Sequence, residues 1–122
     1  MAIMVLDIGG TAIKSGLYID GALTDIRETP TESHKGGAHV VNRAKEIITD
    51  YQQRSAFERI GISTAGQVDP VHGQIIYANE NIPGYTGTKL KEILEQQFHV
   101  PASVENDVNA AAIGESVFGA GK

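Results

Sequence analysis

Residues Ile3 to Ile8 are apolar on both alternating faces, with Ile3 and Val5 on one and Met4, Leu6 and Ile8 on the other. A strand that hides both faces belongs in the middle of a layered domain, covered above and below. Asp7 interrupts the run near its end. Gly9-Gly10 then supplies two residues free to adopt positive φ, and the extended pattern resumes over Ala12 to Ile19. Asp20-Gly21 is a second turn signal, and Ala22 to Thr29 reads as a third strand. Three hairpin-linked strands therefore open the domain.

The period changes after a polar loop over Pro30 to Gly37. Val41, Ala44, Ile47, Ile48 and Tyr51 recur at helical spacing, and Arg59 to Ser63 is a short β-branched strand. Thr64 to Asn81 is rich in turn residues, with room for a small hairpin through Gln74 to Tyr77 around Gly73. Leu90, Ile93, Leu94 and Phe98 mark a second amphipathic helix, with Thr86 or Thr88 as its expected cap. Val100 to Val104 reads as a strand, and Asn106-Asp107 as the cap of a third helix over Val108 to Phe118. The order β-β-β-α-β-α-β-α predicts an α/β domain, a mixed sheet with helices on its faces. It excludes a Rossmann unit, because the glycine pair joins strand to strand rather than strand to helix.

A chain of 122 residues fits one domain and buries roughly 60–70% of its unfolded surface without staples. With no cysteine, a disulfide framework and a thiolate zinc site are excluded, and the chain suits a reducing compartment. No apolar stretch approaches the ~20 residues of a membrane span. Ten basic residues against 15 acidic, with no basic cluster, leave no nucleic-acid footprint.

Three segments carry chemistry. In Asp7-Ile8-Gly9-Gly10-Thr11, turn amides can converge on an anion, and glycine lets a phosphate approach the backbone. Thr11 adds a hydroxyl and Lys14 a cation, while Asp7 is placed to hold a hydrated Mg²⁺. The same residues also make an ordinary hairpin turn with a surface aspartate. In Val104-Glu105-Asn106-Asp107, a carboxylate at the start of a helix stays ionised and can take a proton from an attacking hydroxyl. Asp107 equally serves as a plain helix cap. In Gly61 to Pro70 and Ala78 to Gly84, the Gly66 amide and the side chains of Gln67 and Asn79 can hydrogen-bond a polyol, although turn chemistry accounts for most of these residues one by one. The four histidines show no metal spacing.

Taken in order, Asp7-Ile8-Gly9-Gly10-Thr11, Gly61 to Pro70, Asn79 to Gly84, and Glu105-Asn106-Asp107 followed by Asn109-Ala110-Ala111 resemble bacterial sugar kinases of the ROK family over essentially the whole chain. The resemblance implies the ribonuclease H-like, actin-like ATPase fold, whose two lobes close over ATP and sugar. It places the family's phosphate loop on Asp7, Gly9, Gly10 and Thr11, with Lys14 as the basic residue. Mg²⁺ would be held by Asp7 through water. The catalytic base falls on Asp107, and sugar contacts fall on Asn106, Asp107, Gly66, Gln67 and Asn79. A family kinase is about two to three times this long. The resemblance therefore implies an N-terminal lobe, inactive alone, from a cytoplasmic protein that is usually a homodimer. The adenosine pocket and a structural zinc site would lie in the C-terminal lobe. Two other readings are a sugar-responsive ROK transcriptional regulator and another actin-like ATPase. The presence of Asp107, and a phosphate loop already at residue 7, favour the kinase over the regulator. The polyol-type residues favour it over the other ATPases.

Overall fold

The computed structural model describes residues 2–77 and 82–105. Within them lie seven strands, two α-helices and one short 3-10 turn. The order is β1 (Ala2–Ile8), β2 (Ala12–Ile19), β3 (Ala22–Pro30), the 3-10 turn (Ser33–Lys35), α1 (Gly37–Arg54), β4 (Arg59–Thr64), β5 (Gln67–Asp69), β6 (Gln74–Tyr77), α2 (Leu90–Phe98) and β7 (Ala102–Glu105).

The main sheet runs β3-β2-β1-β4-β7, antiparallel through β3, β2 and β1 and parallel from β1 through β4 to β7. The doubly apolar β1 sits in its centre. Crossovers from β3 to β4 and from β4 to β7 run in the same direction across the sheet, which delivers both helices to one face. There Met4, Leu6, Ile8, Ile60, Ile62 and Val104 form one core with Val40, Ala44 and Ile48 of α1 and Leu90 and Leu94 of α2. The edge strand β3 is exposed along most of its length. It is bulged at Asp25, which has φ 52°, and its one arginine, Arg27, meets Asp50 of α1 instead of a further strand. Arg27 and Arg54 each stack on the Tyr51 ring with 5.0 Å to the centroid.

The mixed α/β sheet and the three-strand opening match the expectation from sequence, and β5–β6 is the hairpin anticipated around Gly73. Three local expectations fail. Neither Gly9 nor Gly10 has a positive φ. Gly9 is required for space instead: a Cβ there would sit 2.9 Å from the Ala12 carbonyl oxygen, which accepts the Gly9 N–H at 3.0 Å. Helix α2 begins after Lys89 with no side-chain cap; the Thr88 hydroxyl turns back to donate to the Tyr85 carbonyl at 2.6 Å. The last strand starts at Ala102 rather than Val100, because His99 closes α2 in the left-handed conformation and Pro101 cannot donate to a ladder. The third helix expected over Val108 to Phe118 lies outside the described residues.

Candidate active site

Sheet register assembles the site. Asp7 pairs with Lys14 on β2 and with Ser63 on β4, and Ser63 pairs with Glu105 on β7. Paired residues on neighbouring strands face the same way, so Lys14, Asp7, Ser63 and Glu105 form one row across the sheet. The row lies at the C-terminal ends of the three parallel strands, where open α/β sheets bind their ligands. The Ser63 hydroxyl donates to Asp7 Oδ1 at 2.6 Å, which turns the half-buried carboxylate along the sheet.

Beyond this row the strands open into the glycine turn and the Gly66 loop. Ile8 pairs with Thr64, and the Ala65 N–H donates to the Ile8 carbonyl at 2.8 Å. The exposed Gly66, at φ 96°, and the exposed Gln67 therefore follow directly beside the turn that carries Gly9, Gly10 and Thr11. Gly10 and Thr11 are exposed, and a Cβ on Gly10 would meet nothing within 4 Å. Among the described residues nothing accepts the amide N–H of Gly10 or Thr11. Two open amides beside a residue with no side chain make a turn that an anionic oxygen can approach.

The floor under the Gly66 loop is polar and buried. Thr64 Oγ1 and the Tyr85 hydroxyl lie 2.7 Å apart, and burial pushes the Tyr85 phenol up to about 12, partly opposed by its bond to Thr64. Tyr85 belongs to the 82–88 segment, which is pressed against the start of α1. The Gly37 N–H donates to the Pro83 carbonyl at 2.7 Å, and a Cβ on Gly37 would come within 2.7 Å of the Tyr85 Cα. This tight approach holds the 82–88 segment against the start of α1.

Asp7, Gly9, Gly10, Thr11, Lys14, Gly66 and Gln67 thus meet at one end of the sheet. Asn79, Asn106 and Asp107 lie outside the described residues, although β7 delivers the chain to the same end at Glu105. Ser63 and the Thr64–Tyr85 pair escaped the sequence reading. A hydroxyl at the end of an apolar strand was the available signal, but its partner is set by register. Among the described residues no three His, Asp or Glu side chains group as metal ligands. A lone carboxylate such as Asp7 suits Mg²⁺ that keeps its waters. No helix among these residues is long and apolar enough to cross a membrane.

Residues 3–122 match the ROK family. The chain belongs to that family. It is 47% identical over 119 residues to an uncharacterized protein from Clostridium perfringens, covering 97% of this chain and 40% of the relative. It is 34% identical over 122 residues to a glucokinase from Halalkalibacterium halodurans, covering 95% of this chain and 36% of that enzyme. Among solved structures, a ROK family glucokinase from Streptomyces griseus in complex with glucose and AMPPNP aligns with a TM-score of 0.80 at 30% identity. That alignment covers 100% of this chain and 38% of the glucokinase. The chain therefore spans about 40% or less of the length of these relatives, and its structural neighbours are ROK sugar kinases of the actin-like ATPase fold. The ROK relatives also include a repressor.

Proposed function

We propose that this chain is the N-terminal lobe of an ATP-dependent sugar kinase that phosphorylates a hydroxyl of a hexose or hexose derivative. The observation that carries the reading is the row Lys14–Asp7–Ser63–Glu105. It brings the glycine turn, the Gly66 loop and the strand leading to Asn106-Asp107 to one end of the sheet. A phosphate site and a polyol site need this adjacency if a phosphoryl group is to pass between them.

In this reading the amides of Gly10 and Thr11, with Lys14, hold the terminal phosphates. Asp7 would hold hydrated Mg²⁺, which would offset phosphate charge when bound. Gly66, Gln67, Asn79 and Asn106 orient the sugar. Asp107 accepts the proton of the attacking hydroxyl as its oxygen bonds the γ-phosphorus; the bond from that phosphorus to the bridging oxygen breaks, and ADP leaves with the electron pair. The second lobe would complete the adenosine pocket and carry a structural zinc. The family resemblance extends the reading to a cytoplasmic homodimer.

The test is a coupled ADP-release assay on the longer protein that contains this chain, with ATP, Mg²⁺ and a panel of hexoses and amino-hexoses. Turnover with at least one sugar is expected, and Asp107→Ala should lower kcat by about a hundredfold or more while sugar binding is largely kept. Near-normal turnover in that variant would leave Asp107 only a helix cap. No phosphorylation of any sugar would point to a regulator. The 122-residue chain alone should show no appreciable turnover.

A further inference from the structure

Three successive carbonyls of the glycine turn are occupied from behind. The Thr31 hydroxyl donates to the Gly9 carbonyl at 2.8 Å, the Ser33 hydroxyl donates to the Gly10 carbonyl at 2.8 Å, and the Thr31 N–H donates to the Thr11 carbonyl at 2.9 Å. A trans peptide plane points its C=O and its N–H in opposite directions. The Gly9 carbonyl shares its plane with the Gly10 N–H, and the Gly10 carbonyl shares its plane with the Thr11 N–H. Drawing both carbonyls toward residues 31–33 therefore turns both amides away from that segment.

We infer that Thr31 and Ser33 are positioning residues for phosphate binding: they pull back the carbonyls of Gly9 and Gly10 so that the next two amides are presented to the terminal phosphates of the nucleotide. The inference rests on the reading of the glycine turn as the phosphate loop, and goes beyond it in naming what orients that loop. Left alone, a glycine-rich turn samples many peptide orientations, including ones that aim a carbonyl dipole at the anion. Two hydroxyl donors on the far side remove those.

Glu32 keeps the two donors aimed together. It stands between them in the left-handed conformation, φ 55° and ψ 47°, where the backbone bends sharply enough for both neighbours to reach the same turn. Its carboxylate meets His39 Nε2 at 2.9 Å, Lys35 Nζ at 3.3 Å and the Arg43 guanidinium. Thr31 itself is fully buried. The clamp is thus anchored to α1, whose inner face packs in the core.

The experiment is calorimetric titration of a non-hydrolysable ATP analogue, and separately of a sugar substrate, into the longer protein. Thr31→Val and Ser33→Ala should each raise the Kd for the nucleotide about five- to tenfold, the worth of one hydrogen bond, and leave the Kd for sugar unchanged. Thr31→Ser, which keeps the donor, should restore nucleotide binding to within about twofold. A purely structural role would lower the melting temperature without this split between ligands, and would overturn the proposal. Should Thr31→Val not fold, Ser33→Ala decides. Gly10→Ala separates the role of the turn from that of its hydroxyl donors, because its added methyl meets no protein atom but crowds an incoming phosphate. If Gly10→Ala leaves nucleotide affinity intact, the phosphate-loop reading fails and takes the clamp with it. If Gly10→Ala weakens binding while the hydroxyl variants do not, the clamp alone is wrong.

Discussion

Strand β2 is entered and left through glycine-containing turns, and the two are built on opposite principles. At its far end, Ile19 pairs with Ala22 across Asp20-Gly21, whose φ values of 49° and 86° are those of a two-residue primed turn. That geometry matches the twist of the flanking strands, so local backbone preference closes the hairpin. At the near end, Gly9-Gly10 has no positive φ, spans a wider gap between Ile8 and Ile13, and draws its support from Thr31 and Ser33, more than twenty positions along the chain. A turn made by local preference is closed by the pair that flanks it, here Ile19 and Ala22, and needs no partner from elsewhere in the chain. A turn held from outside can keep two amides open, and the second kind is the one that stands beside Asp7 and Ser63.

The contrast can be broken most directly at Gly9. Gly9→Ala forces a methyl to within 2.9 Å of the Ala12 carbonyl, and should destabilise the chain by about 1–3 kcal/mol in urea denaturation while also weakening nucleotide binding in the longer protein. A variant as stable as the parent would show that the near turn has slack that the structure does not. Gly21→Ala should cost less, about 1 kcal/mol, since the methyl meets nothing and only the left-handed backbone is penalised. Nucleotide affinity should not respond to it; a loss there would mean the two ends of β2 are coupled after all.

The smallest effect is expected at Glu32. Hydrogen bonds from His39 first, then Lys35, hold the Glu32 carboxyl at about 2, well below its ordinary 4.5. A carboxyl depressed by folding contributes stability that is present above pH 4.5 and is lost as the pH falls toward 2. Glu32→Gln should therefore flatten the acid limb of a melting-temperature profile between those values and leave the rest of the profile nearly parallel. An unchanged acid limb would remove Glu32 from the clamp. The bridge is partly exposed, so the change is expected to be modest.

Much of this was legible without coordinates. A strand apolar on both faces must lie centrally, and a 3.6-residue apolar period must place a helix against the sheet, so β1, α1 and α2 follow from burial alone. Asp20-Gly21 announced its turn because the signal and the structure are equally local. Gly9 was legible as a glycine but not for its reason, which is a carbonyl 2.9 Å away rather than a positive φ. The Thr86 or Thr88 cap failed because Thr88 spends its hydroxyl on Tyr85, a choice made by the packing of the 82–88 segment.

Local chemistry in the sequence determined the order of elements, the central strand and the residue types capable of meeting phosphate and sugar. Tertiary structure alone decided that Ser63 would orient Asp7 and that Thr31 and Ser33 would hold the turn. Periodicity and turn preference act over a few residues, and so leave their mark in the order of the letters. A hydrogen bond between strands, or between a turn and a distant loop, depends on register and chain path, which exist only once the sheet has assembled.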